Sequence, residues 1–188
     1  METTIYMIRH AESPFVFGKE RTRGISEKGI QDSQRITDIM RSRQVDIIFS
    51  SPYKRAVQTI EGITHYKKMD INLIEDLRER QLKGDFKMPK EERLEAIRKS
   101  FQNRDYSLPD GESVSDVQNR AIPVIKELLL TYYGKKMIIG THGNVMTIIM
   151  NYFNSRYGFD FWINTTMPDI YELVFSDFEL YSVRRLWD

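Results

Sequence analysis

Two apolar runs in this chain end in histidine, and that pairing narrows the folds open to it. Thr4-Ile5-Tyr6-Met7-Ile8 leads into Arg9-His10, and Met137-Ile138-Ile139-Gly140 leads into Thr141-His142. Short apolar runs rich in isoleucine predict β-strands. A strand ending in a basic or titratable residue delivers it to the sheet edge where α/β folds hold their ligands. Two imidazoles and a guanidinium at such edges predict a phosphate site. The third histidine, His65, lies late on a predicted helix and carries no functional assignment.

The remaining pattern alternates strand with helix. The first strand is expected over residues 4–9, followed by a charged loop ending at Gly24. Ser26 reads as an N-cap, with Ile30, Ile36, Ile39 and Met40 at roughly helical spacing. Residues 46–50 read as a second strand. Ser51-Pro52 then read as N-cap and first helical position, with Tyr53, Val57, Ile60 and Thr64 sharing one helix face. A short strand is expected at 71–74, a loop at 76–84 and an exposed, charged helix at 90–104. Ser113, with Asp116 in the capping-box place, opens a longer helix that faces Val117, Ala121, Val124 and Leu128 inward. Pro123 should kink or interrupt it. A strand at 137–141 precedes a helix carrying Val145, Ile148, Ile149 and Tyr152. Strands at 170–175 and 180–185 join through Ser176-Asp177-Phe178. This order predicts one three-layer α/β/α domain over residues 1–188, with a mostly parallel central sheet.

Composition removes several classes of function. Lys plus Arg total 28 against 27 for Asp plus Glu, so the net charge of +1 lacks the basic excess of a nucleic-acid binder. Without cysteine there is no disulfide, thiolate metal site or thiol nucleophile. No stretch approaches the ~20 apolar residues of a membrane span, and the polar start Met1-Glu2-Thr3-Thr4 does not read as a signal peptide. The expectation is a cytoplasmic enzyme.

Phosphoryl transfer without a metal needs a nucleophile, cations for the non-bridging oxygens and an acid for the leaving oxygen. Imidazole attacks phosphorus only when neutral, and nearby guanidinium charge favours that form. Arg9 and His10 are adjacent, so they converge on one anion only if the strand stops between them. Arg55 falls in the first turn after Ser51-Pro52, where a bidentate clamp would meet free backbone amides. His142 precedes another helix start, which suits an oxyanion.

Together these fragments resemble the histidine phosphatase superfamily, the phosphoglycerate-mutase-like family. The first motif reads Arg9-His10-Ala11-Glu12-Ser13, and the second reads Ser51-Pro52-Tyr53-Lys54-Arg55-Ala56-Val57-Gln58-Thr59. Leu77-Arg78-Glu79, Gly111-Glu112-Ser113 with Arg120, and His142-Gly143 follow in the family's order. The resemblance implies that His10 becomes phosphohistidine and that Arg9, Arg55, His142 and Gly143 form the phosphate pocket. It assigns to Glu79 the leaving-group proton and later activation of water; Glu12 and Glu75 compete for that role. Ser13, Arg21, Arg23 and Asn144 are further candidate substrate contacts. The resemblance implies no metal and no cofactor. Its expected ligand is a small phosphorylated metabolite, with no nucleic acid or membrane partner, in a monomer or homodimer. Ala11 departs from the usual glycine, and Ser13-Pro14-Phe15-Val16 lacks the Trp-Asn pair of many members.

Four functions remain to be weighed. Hydrolysis of a phosphate monoester leads, because the chain lacks the insertions that would enclose an intermediate. A mutase is its rival, because Asn144 after His142-Gly143 resembles the mutase branch. A non-catalytic module would keep the fold but has no need of every pocket residue. A metal site from His10, His142, Asp46 and Glu79 lacks paired-histidine spacing. The aromatic cluster Phe159, Phe161 and Trp162 is read as core packing rather than a substrate lining or a dimer contact.

Overall fold

Successive residues of a strand face opposite sides of its sheet, and here that alternation builds two cores. The computed structural model describes all residues 1–188. In chain order it contains β1 (Glu2–Arg9), α1 (Glu27–Arg41), β2 (Ile47–Ser50), α2 (Lys54–Lys67) and β3 (Ile71–Leu73). A 3-10 turn (Glu75–Leu77), α3 (Lys90–Gln102), α4 (Val114–Thr131), β4 (Lys136–Thr141) and α5 (Gly143–Phe153) follow. The chain closes with α6 (Phe159–Ile163), β5 (Asp169–Ser176) and β6 (Glu179–Arg185).

The six strands form one sheet in the order β3-β2-β4-β1-β5-β6. The β3-β2-β4-β1 part is parallel throughout, whereas β5 runs antiparallel to both β1 and β6. Ile5 and Met7 join Met137, Ile139, Leu173 and Phe175 on one face, under Val117 and Ile125 of α4 and Val145 and Ile149 of α5. Tyr6, Ile8, Ile48, Ile138 and Ile170 line the other, under Ile36 and Met40 of α1 and Ile60 and Ile63 of α2. Each such aliphatic side chain contributes roughly 1.5–3 kcal/mol by leaving water. The result is the expected three-layer architecture. No helix is long and apolar enough to cross a membrane.

Several local expectations change. Pro52 does not begin α2; Tyr53 occupies the cap position without a side-chain cap, and helix starts at Lys54. The buried face is consequently Arg55, Ala56, Thr59, Ile60, Ile63 and Thr64; of the expected face Ile60 and Thr64 are buried, while Tyr53 and Val57 stay partly exposed. Ile30 is exposed because the buried residues of α1 are Gly29, Ile36, Thr37 and Met40. Pro123 does not interrupt α4, which is continuous from Val114 to Thr131. Both Pro123 and Asn119, whose carbonyl it would otherwise bond, lie on the exposed side. The short helix α6 and the 3-10 turn were not anticipated. Phe159 and Phe161 do pack in the core, Phe161 against Tyr157 and Tyr171. On α5, Val145, Ile148 and Ile149 are buried and Tyr152 is exposed.

Candidate active site

Parallel pairing of β1 with β4 sets Arg9 opposite Thr141, so His10 and His142 leave the sheet side by side. The His10 amide donates to the Thr141 carbonyl at 2.9 Å. The two rings lie edge to face with centroids 5.2 Å apart. On the other flank of β4, the Ser51 amide donates to the Gly140 carbonyl at 2.9 Å, bringing the start of α2 to the same edge. β1 stops at Arg9, which frees His10 from the pleat and lets both side chains serve one site.

Each imidazole is held from one side. His10 Nδ1 lies 2.8 Å from the Ala11 carbonyl, which can only accept, so Nδ1 carries the proton and Nε2 the lone pair. The Ala11 amide in turn donates to Thr59 Oγ1 at 2.9 Å, so the turn after His10 accommodates alanine. His142 Nε2 lies 2.8 Å from Ser51 Oγ, and that oxygen already accepts from the Tyr53 amide at 3.3 Å. The tautomer in which the Ser51 hydroxyl donates to Nε2 leaves His142 Nδ1–H as a free donor. Ser51 was missed from sequence as a site residue.

The surroundings keep both rings neutral. Burial, then the Arg55 charge, pushes His10 down to about 3, with Arg9 and Arg23 acting in the same direction. His142 is pushed well below its usual range, first by burial and then by His10 and Arg55. Arg55 is the second residue of α2, and its side chain is only 1% exposed. Arg9 Nη1 donates to Thr165 Oγ1 and to its carbonyl, in the loop before β5. Gly143 admits that guanidinium to the start of α5: a Cβ there would stand 2.8 Å from Arg9 Cζ. Arg9 Nε, Arg55 Nε and His142 Nδ1 are all buried without a protein partner. Such donors are costly to leave unpaired, and all three are of a kind that an anion satisfies.

Glu79 reaches the same edge from outside the sheet. Its Oε1 accepts from the Val145 amide at 3.0 Å and its Oε2 from the Asn144 amide at 3.3 Å, in the first turn of α5. The segment bearing it is laced to α4: Arg120 donates to the carbonyls of Asp76 and Arg78 and forms a two-pronged bond to Glu112 at 2.7 and 2.9 Å. Arg80, buried, holds the Glu112 carbonyl and Ser100 Oγ. The Gly111-Glu112-Ser113 and Arg120 motif therefore supports Glu79.

Other candidates fall into place differently. Arg23 lies close enough to influence His10, and its Nη1 donates to Ser13 Oγ at 2.6 Å. Ser13 Oγ itself donates to the Gly24 carbonyl, which makes it a loop brace. Arg21 lies at the exposed rim, bonded at both prongs to Glu75 and stacked over Tyr53, which packs edge to face on His142. That bridge also occupies Glu75, while Glu12 accepts from Ser26 Oγ, so both competing acids are engaged elsewhere. Asn144 gives its amide to Glu79, and its buried Oδ1 has no partner. No three His, Asp or Glu side chains gather as a metal cage.

The geometry can be compared with known proteins. A family model described as "Histidine phosphatase superfamily (branch 1)" matches residues 5–179. The uncharacterized phosphatase PhoE of Bacillus subtilis (strain 168) is 26% identical over 146 residues, covering 75% of this chain and 72% of its own. A phosphoglycerate mutase of Schizosaccharomyces pombe is 26% identical over 162 residues, covering 78% and 77%. Among solved structures, a mycobacterial glucosyl-3-phosphoglycerate phosphatase superposes with a TM-score of 0.75 at 19% identity, covering 99% of this chain and 98% of its own. With a family match spanning nearly all of its sequence, the chain belongs to branch 1 of the histidine phosphatase superfamily.

Proposed function

We propose that the protein hydrolyses small phosphate monoesters in the cytoplasm through a phosphohistidine on His10, without a metal. The observation carrying this reading is the set of three buried, unpartnered donors, Arg9 Nε, Arg55 Nε and His142 Nδ1, around a neutral His10. In the first step His10 Nε2 attacks phosphorus in line while the bond to the ester oxygen breaks. Arg9, Arg55, His142 Nδ1–H and the Gly143 amide take the charge of the non-bridging oxygens. Glu79 gives its proton to the departing alkoxide. In the second step Glu79 takes a proton from water as that oxygen bonds to phosphorus, the phosphorus–nitrogen bond breaks and inorganic phosphate leaves. Relatives that carry phosphatase in their names support this over binding alone.

A mutase reading has two supports: Asn144 follows His142-Gly143, and one relative is named a phosphoglycerate mutase. Product analysis separates them. With p-nitrophenyl phosphate and with 3-phosphoglycerate, both in excess chelator, free phosphate is expected as the product. His10→Ala should fall to the uncatalysed background. Conversion of 3-phosphoglycerate to 2-phosphoglycerate would establish the mutase instead, and undiminished turnover in His10→Ala would remove His10 from its role.

A further inference from the structure

The charged loop between Ser13 and Gly24 places one acid against the phosphate clamp. Glu20 Oε2 lies 3.2 Å from Arg23 Nη2, 3.4 Å from Arg23 Nε and 3.5 Å from Arg55 Nη2. Arg55 Nη1 also donates to the Glu20 main-chain carbonyl. Arg23 and Arg55 are like charges in a shared, largely desolvated space, with side chains 12% and 1% exposed. Without an anion they repel one another. The Glu20 carboxylate supplies that anion from a side chain that is 45% exposed.

We infer that Glu20 is a tethered competitor for the phosphate site: its carboxylate occupies the Arg23–Arg55 clamp in the resting protein and yields the clamp to the phosphate of a monoester. The inference rests on the reading of Arg55 as a phosphate ligand. Three features mark the contact as exchangeable. Its distances of 3.2–3.5 Å exceed the ~2.7–2.9 Å of tight charge-assisted bonds. The pair that Arg21 of the same loop makes with Glu75 of the 3-10 turn, at 2.7 and 2.8 Å, shows what a close-set pair looks like here. Finally, a carboxylate brings one negative charge, and a phosphate monoester at neutral pH brings nearly two. The dianion wins the clamp and a singly charged phosphodiester gains little over Glu20. The same competition weakens the hold on inorganic phosphate, so Glu20 sets affinity and assists product release.

The test is calorimetric titration of inorganic phosphate into the full chain and into Glu20→Gln, at neutral pH and fixed ionic strength. The variant should bind phosphate about tenfold more tightly, the size of one charge-assisted hydrogen bond. KM for p-nitrophenyl phosphate should fall by a similar factor, and Glu20→Asp, which keeps the charge, should shift both values less. Equal or weaker phosphate binding by folded Glu20→Gln overturns the inference, because Glu20 would then be holding the arginines in place for the substrate. Absence of phosphate binding by both forms overturns it too. Turnover does not enter the titration, so a wild-type protein that binds phosphate but releases none from esters refutes hydrolysis and leaves the role of Glu20 standing.

Discussion

Gly143 is where a single atom decides how the pocket is built. The Arg9 guanidinium lies flat against the start of α5, within 3.0 Å of where any Cβ would project. Such contacts force something to move, and the movable partner is Arg9. Alanine is also a better helix former than glycine, by roughly 1 kcal/mol, so Gly143→Ala should not cost helix stability. The expected outcome is a folded protein with KM raised about tenfold or more, the loss of one bond to a charged group. Steady-state kinetics beside a thermal melt check this. A variant with unchanged KM would show that Arg9 does not touch substrate.

The helices differ in how closely local preference matches the final structure. α4 opens with a complete capping box, Ser113 and Asp116 bonding reciprocally, and its inward face follows the sequence pattern. Pro123 inside it is a local conflict that the helix tolerates because the missing amide and the Asn119 carbonyl both face water. An interior proline costs about 3 kcal/mol in a helix, and Pro123→Ala should recover about 1–3 kcal/mol, read as a higher urea midpoint at unchanged slope. The start of α2 was misplaced for a different reason. Ser51 looks like a cap in sequence, but its oxygen accepts from the Tyr53 amide just ahead of the helix and also meets His142, 91 positions away. Arg9, His10, Arg55, Glu79 and His142 were legible because each sits in a short motif at an element end. Ser51, Thr165 and Glu20 were not, because what they touch is set by tertiary packing. Thr165 meets Arg9 across 156 positions, and no local pattern records that.

Across the whole molecule, the two buried imidazoles link the site to acid stability. In the folded protein His10 resists protonation down to about 3, whereas an unfolded histidine accepts a proton near 6.5. Between those values the unfolded chain binds more protons, so acid favours unfolding. The stability from His10 is full above the unfolded value and is lost at about 1.4 kcal/mol per pH unit as the medium acidifies through that window. His142 shifts in the same direction. Urea denaturation between about pH 7 and about pH 5.5, where most carboxylates remain ionised, should show the wild type losing stability faster than His10→Asn, by about 1 kcal/mol over the interval. Parallel losses would mean that His10 titrates alike in the folded and unfolded states.

The strand order has a consequence for how the molecule comes into being. β4 is inserted between β1 and β2, which do not pair with each other. Until residues 136–141 arrive, no strand lies between the edge bearing His10 and the strand that leads to the Arg55 helix, and only loop and helix contacts such as Ala11 to Thr59 join them. A nascent chain carrying its first hundred residues therefore holds Arg9, His10, Arg55 and Glu79 without the strand that sets their spacing. The site is completed by a closing, long-range pairing event, which topology makes slow relative to helix formation.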